Sequence, residues 1–138
     1  MNVKKFLVSG IVGGIAYFFL GHLFYGVLFF NEMACTIAGV SRSMEQMVWW
    51  SLITGSLLYG VLVAFVLGKA NITNLVSGIA TSAALGLLVS ASYDFTMYAN
   101  TNLFTLKTVA YDIAISTVMA TLTGAVVMLV GNFVNKKA

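Results

Sequence analysis

Long apolar stretches alternate with short polar segments along this chain. Four stretches are predominantly apolar, and they cover about residues 6–30, 47–68, 74–97 and 105–133. Each has roughly the 20 residues that an α-helix needs to cross a lipid bilayer. Because little of the chain lies outside them, the pattern predicts one all-α membrane domain, a bundle of four transmembrane helices.

Small residues recur at every fourth position within these stretches, and two of the rows contain an aspartate. The rows in the third and fourth stretches are Gly78, Ser82, Gly86, Ser90 and Asp94, and then Asp112, Ser116, Ala120 and Gly124. Small side chains let membrane helices approach closely, so the rows predict surfaces of helix–helix contact. Both carboxylates are therefore expected to face a neighbouring helix rather than lipid.

The composition supports a membrane environment. The chain is 60% hydrophobic and only 8% charged, and it contains no proline. Soluble domains carry about 25% charged residues, so this chain lacks the polar side chains to cover a surface that faces water. The single cysteine, Cys35, excludes an internal disulfide and is expected to be a free thiol in the loop after the first helix.

The basic residues predict the orientation of the helices. Five of the seven flank one side of the membrane and two flank the other: Lys4, Lys5, Lys69, Lys136 and Lys137 against Arg42 and Lys107. The positive-inside rule then places both termini in the cytoplasm, in the N-in/C-in arrangement of a multi-pass protein of the bacterial inner membrane. The formal net charge of +3 is explained by these flanks and predicts no binding of nucleic acid.

The intramembrane ionisable residues are the candidates for chemistry. A charged side chain inside a bilayer costs on the order of 3 kcal/mol, and such residues mark functional sites by default. At a rise of 1.5 Å per residue, Asp94 lies about 5 Å, Asp112 about 10 Å and His22 about 12 Å below the outer helix ends. We therefore expect a protonatable or cation-binding site formed by these three residues, supported by neighbours at similar depth, namely Tyr25, Tyr111 and Ser116.

Structural roles are the alternative for each of these residues. Asp112 would then only accept a hydrogen bond from a tyrosine or serine of a neighbouring helix. Asp94, which is shallower, would cap its helix or lie at the membrane interface. A lone imidazole such as that of His22 is commonly packed with a single hydrogen bond.

Signatures of enzymes are sparse. The chain has no cluster of histidine and cysteine for a metal, no Gly-x-Ser-x-Gly motif and no phosphate-binding loop. Its one histidine supplies at most one of the two axial ligands of a six-coordinate haem. We expect no metal and no cofactor, and catalysis is the least supported class of function.

One succession of residues resembles a family pattern. Tyr93-Asp94-Phe95-Thr96, followed by Thr105-Leu106-Lys107 and then by Asp112, is similar to a Tyr-Asp-x-Thr, Thr-Leu-Lys, Asp pattern of small four-helix bacterial inner-membrane protein families. Residues 97–101 depart from the pattern as an insertion. The resemblance implies a four-helix inner-membrane protein and points to the same aspartates, and it implies no particular activity.

Two hypotheses for the function follow from these patterns. The first is a small permease or channel-like protein with its site at Asp112 and Asp94. The second is a structural or accessory subunit that docks into a larger membrane complex through its small-residue ridges. The expected surroundings are the lipid bilayer, with a homo-oligomer or a larger membrane complex as the assembly. An enzyme acting on a lipid or a quinone ranks third.

Overall fold

The regular elements in the described part of the chain are all helical. The computed structural model describes residues 2–34, 37 and 39–136, and Cys35 lies outside them. The elements in chain order are α1 (Val3–Gly21), a π-helical segment (His22–Leu28), α2 (Phe30–Met33), a 3-10 turn (Met44–Gln46), α3 (Trp49–Lys69), α4 (Leu75–Asn100) and α5 (Leu106–Lys136).

Four helical stretches are long and apolar enough to cross a membrane. They are Val3–Leu28, Trp49–Lys69, Leu75–Asn100 and Leu106–Val134. Large apolar side chains cover the outside of the packed helices; Leu58, for example, is 64% exposed and Leu88 is 69% exposed. Continuous apolar surface of this kind is stable in lipid and not in water. The arrangement is that of a multi-pass membrane protein.

Side-chain caps explain where several helices begin and end. Asn74 accepts hydrogen bonds from the backbone amides of Val76 and Ser77 and so caps the start of α4. The same helix continues to Asn100 instead of ending near residue 97, because Asn100 and Thr101 donate side-chain hydrogen bonds to carbonyl groups of its last turn. Thr105 caps the start of α5, because its hydroxyl accepts a hydrogen bond from the backbone amide of Thr108.

Helices α1 and α5 lie at the centre of the assembly. Helix α1 packs against both α3 and α5, whereas α4 packs against α5 and touches α3 only marginally. Sequence neighbours run in opposite directions, so α1 begins where α5 ends, and Lys5 lies beside Gly131. We call this the terminal end of the helices. The opposite end, where α1 gives way to the π-helical segment and where α5 begins, is the loop end.

The interface between α1 and α3 is a crossing of glycines. A Cβ atom on Gly60 would overlap the backbone of Gly14, and it would lie 2.5 Å from the carbonyl oxygen of Gly10. Gly14 itself lies so close to α3 that an added Cβ would be 2.6 Å from the Cα of Leu57. Backbone atoms cannot move aside as side chains can, so only glycine fits at this crossing.

Small residues also form the interface between α4 and α5. The buried residues of α4 are the members of one row, Gly78, Ser82, Gly86, Ser90 and Asp94. A Cβ on Gly86 would overlap that of Ala120, and a Cβ on Gly124 would overlap the side chain of Ser82. The close approach therefore carries Asp94, at one end of the row, directly into the α4–α5 interface.

Candidate functional site

The π-helical segment places Tyr25 at the centre of the assembly. From His22 to Leu28 the backbone follows the wider i→i+5 pattern, and it ends with the amide of Phe29 bonded to the carbonyl of Phe24 at 2.8 Å. A π-helical turn contains an extra residue and so changes the direction of the side chains that follow it, and such turns are frequent at functional sites. Tyr25 lies within this segment.

Tyr25 joins the π-helical segment to α5 through its hydroxyl group. This hydroxyl donates a hydrogen bond of 2.7 Å to Oδ1 of Asp112, and it lies 3.0 Å from Oγ of Ser116. Asp112 and Ser116 are one helical turn apart, so they present their oxygens on the same face of α5. Asp112 is half-buried, and the hydrogen bond from Tyr25 stabilises its carboxylate.

Asp94 approaches the same point from α4. It is completely buried, and neither of its carboxylate oxygens has a hydrogen-bond partner among the described residues. The carboxyl group of Asp112 is close enough to interact electrostatically with the carboxyl group of Asp94. Asp94 lies six residues before the end of α4 and Asp112 six residues after the start of α5, which is roughly 9 Å below each helix end. We call these two residues the carboxyl pair.

His22 and Tyr111 are not brought to the carboxyl pair. The imidazole of His22 is exposed and lies over Gly26, without a hydrogen bond or an ion pair to any described residue. The ring of Tyr111 packs against Phe29, with 6.0 Å between centroids, and Nζ of Lys107 lies 5.5 Å from the same ring. Of the six predicted site residues, the structure therefore groups Asp94, Asp112, Tyr25 and Ser116.

The basic residue closest in sequence to the pair is engaged elsewhere. Lys107, one turn before Asp112 on α5, forms an ion pair of 2.6 Å with Glu32, and both side chains are substantially exposed. This is the one salt bridge between described side chains, so within the described ranges no lysine or arginine is paired with Asp94 or Asp112. No described lysine or arginine therefore compensates the negative charge that the carboxyl pair carries when it is ionised.

Two cavities lie at opposite ends of one face of α5. The loop-end cavity, of about 560 Å³, is bounded on α5 by Met119. The terminal-end cavity, of about 190 Å³, is bounded on α5 by Val127 and Met128 and elsewhere by polar residues such as Ser9. Between them lies Thr123, which is fully buried and whose hydroxyl has no hydrogen-bond partner among the described residues.

The face of α5 that links these features was only partly visible in the sequence. An α-helix turns by about 100° per residue, so five residues of α5 share one face, within about 80° around the helix axis. They are Asp112, Ser116, Met119, Thr123 and Val127. The row of small residues that was identified in the sequence lies on the neighbouring face, with Ala120 and Gly124. It therefore did not include Thr123. The loop-end cavity was also not predicted, because its walls come from segments that are distant in the sequence.

Comparisons with known proteins add no relative. The chain matches no protein-family model, no curated protein and no solved structure. Within residues 2–34, 37 and 39–136, no group of three or more histidine, cysteine, aspartate or glutamate side chains is placed to hold a metal ion. The polar groups that the structure describes at this site are two carboxyl groups and the hydroxyl groups of Tyr25 and Ser116.

Proposed function

We propose that this protein is a small permease or channel-like protein of the bacterial inner membrane, in which Asp94 and Asp112 bind a proton or a small cation. The observation that carries the proposal is the state of Asp94. Its carboxyl group is fully buried and accepts no hydrogen bond from a described donor, and the polar group beside it is the carboxyl group of Asp112.

Two neighbouring carboxylates in a dry environment repel each other strongly, so both remain ionised only when a cation lies between them. Otherwise the two groups share a proton, as the paired aspartates of aspartic proteases do. A pair that requires a proton or a cation is also a pair that can accept and release one. This property is what a coupled transporter or a cation pathway needs at an intramembrane site.

The proposed route follows the face of α5 that bears Asp112. It leads through the loop-end cavity, where Tyr25 of the wall contacts the carboxyl pair, and then from Met119 along Thr123 to the terminal-end cavity. In the N-in/C-in orientation favoured by the lysine distribution, the pair lies near the outer side of the membrane. The buried segment around Thr123 and the glycine crossing then forms the barrier between the two sides.

The alternative, an accessory subunit, has less support from the packing. The ridges that were expected to dock a partner lie between the protein's own helices, with Gly60 against Gly14 and Gly86 against Ala120. A larger membrane complex would have to bind another surface. We therefore treat the accessory role as the outcome to which a negative transport experiment would point.

The experiment is a flux measurement in liposomes that contain the purified protein. Proton flux is followed with an internal pH-sensitive dye, and Na⁺ and K⁺ flux with ion-selective dyes, under an imposed membrane potential. Asp94→Asn and Asp112→Asn keep the side-chain shape and remove the titrating charge. Glu45→Gln is the matched control, because Glu45 is exposed in the 3-10 turn and lies outside the carboxyl pair.

We expect a flux of one of these ions with the wild-type protein and with Glu45→Gln. Each aspartate variant should bring that flux close to the flux of empty vesicles, because it removes an ionisable group from the intramembrane site. Wild-type vesicles that behave as empty vesicles for all three ions would reject the permease and favour the accessory role. Unchanged flux in both aspartate variants would show that transport does not depend on the carboxyl pair.

A further inference from the structure

We propose that the loop-end cavity is a binding site for a lipophilic organic cation. The inference rests on the proposed function and deepens it by naming the class of substrate that reaches the carboxyl pair. It depends on three features of the cavity, which are its aromatic walls, the position of the negative charge behind them and the role of Tyr25.

The size and the walls of the cavity suit a small organic molecule. Its volume of about 560 Å³ lies within the range of roughly 300–1,000 Å³ that is typical of small-molecule sites. Five of its lining side chains are aromatic, namely Tyr17, Phe18, Tyr25, Phe30 and Trp49. Aromatic faces offer contact area to an apolar body, and they also attract a positive charge through the ring quadrupole.

The carboxyl pair favours a cation in this cavity. The described lining residues include no lysine, arginine, aspartate or glutamate. Arg42 lines a neighbouring cavity that shares Tyr17, Leu52 and Ser56 with it, and the carboxyl groups lie behind Tyr25. Lys107 does not offset them, because it is paired with Glu32. His22 is the one histidine among the described lining residues. Low-dielectric walls concentrate the field of the carboxyl groups, which favours a positive ligand over a neutral or negative one.

Tyr25 connects the cavity to the carboxyl pair. Its ring forms part of the wall, and its hydroxyl donates to Asp112. A cation that enters the cavity is therefore separated from Asp112 by a single side chain. The outer wall contains Met44 and Met47, and the flexible, polarisable thioether of methionine adapts to ligands of different shapes.

Two probes of equal shape and opposite charge test the inference. Binding of tetraphenylphosphonium and of tetraphenylborate to the detergent-solubilised full chain is measured by equilibrium dialysis. The variants are Asp94→Asn, Asp112→Asn and Trp49→Ala. Trp50→Ala is the control for the tryptophan, since Trp50 is 73% exposed and does not line this cavity. Retained size-exclusion profiles establish that each variant is folded.

We expect saturable binding of the phosphonium and none of the borate. The aspartate variants and Trp49→Ala should each weaken phosphonium binding by about tenfold, which corresponds to about 1.4 kcal/mol. Trp50→Ala should bind as the wild type does. Equal binding of both probes, or phosphonium affinity that is unchanged in both aspartate variants, would overturn the inference and identify an apolar slot for lipid acyl chains.

The two proposals fail in different ways. If ion flux in liposomes depends on Asp112 but phosphonium does not bind, the cavity inference is overturned and the proposed function stands. If phosphonium binds in the expected pattern but the wild-type protein moves no ion, the binding site stands and the permease is rejected.

Discussion

The hydroxyl of Tyr25 donates a hydrogen bond of 2.7 Å to the carboxylate of Asp112, and this bond joins the first membrane-spanning stretch to the last. The bond creates an asymmetry within the carboxyl pair. Asp112 has a donor that stabilises negative charge, whereas Asp94 has none among the described residues. Two chemically identical groups are thus placed in unequal surroundings, which is the usual way in which proteins give paired carboxyls different roles.

Tyr25→Phe should destabilise the protein by about 1.5–3 kcal/mol, because hydrogen bonds to charged groups contribute this much. The change leaves the ring in place and removes only the donor. The free energy of unfolding is measured by titration with a denaturing detergent. Tyr98→Phe is the matched control, since Tyr98 is 42% exposed and has no hydrogen bond within the described ranges. Equal loss in both variants would show that the Tyr25 bond contributes nothing specific.

Gly60→Ala should destabilise the crossing of α1 and α3, and Gly55→Ala should not. The added methyl group at position 60 meets the backbone of Gly14, so one helix must shift, which typically costs about 1–3 kcal/mol. At position 55 the added group meets nothing within 4 Å, so the better helix propensity of alanine adds up to about 1 kcal/mol. The same detergent titration compares them, and a Gly60→Ala variant as stable as Gly55→Ala would contradict the close crossing.

Hydrophobic patterning predicted the long helices, because each span has to be apolar whatever its neighbours are. The spacing of small residues also predicted which residues of α4 are buried. Gly78, Ser82 and Gly86 face α5, and Asp94 follows them because it shares their period of four. Periodicity of this kind is a property of one helix, and it can therefore be read without knowing the rest of the fold.

Features that depend on two or more helices could not be predicted in the same way. The π-helical segment, which contains Tyr25, is set by local hydrogen bonds that leave no clear pattern in the sequence. Depth alone placed His22 and Tyr111 beside Asp112, because height along a helix says nothing about the face on which a side chain lies. Neither residue is hydrogen-bonded to the pair among the described residues: His22 is exposed, and the ring of Tyr111 packs against Phe29.

Reporter fusions should find both termini in the cytoplasm. The prediction depends on the excess of lysine at the terminal end of the helices, which orients membrane proteins during insertion. A fusion at Ala138 should be active with a cytoplasmic reporter such as green fluorescent protein. One at Gly39, in the loop after α2, should be active with a periplasmic reporter such as alkaline phosphatase. Signal from both reporters at either site would indicate dual insertion and would reject a single orientation.

Thr123→Val should stabilise the protein and reduce transport. The buried hydroxyl of Thr123 has no partner in the described part of the chain, and such a group costs about 1–3 kcal/mol, so the isosteric apolar side chain should raise the free energy of unfolding by about 1 kcal/mol. If ions or protons pass between the two cavities along α5, the same change removes the one buried polar group between Met119 and Val127, and flux should fall.

Thr121→Val is the control for this substitution. Its hydroxyl already donates to the carbonyl of Thr117 at 2.7 Å, so its loss should leave both stability and flux close to those of the wild type. Detergent titration and liposome flux, measured on both variants, separate the two roles of Thr123. A stabilised Thr123→Val protein with full flux would show that the hydroxyl is only a packing defect, and the route past the glycine crossing would then have to be placed elsewhere. Valine would fit at position 123 equally well and without the unfavourable buried hydroxyl. A requirement for that hydroxyl in transport would explain why the residue is threonine.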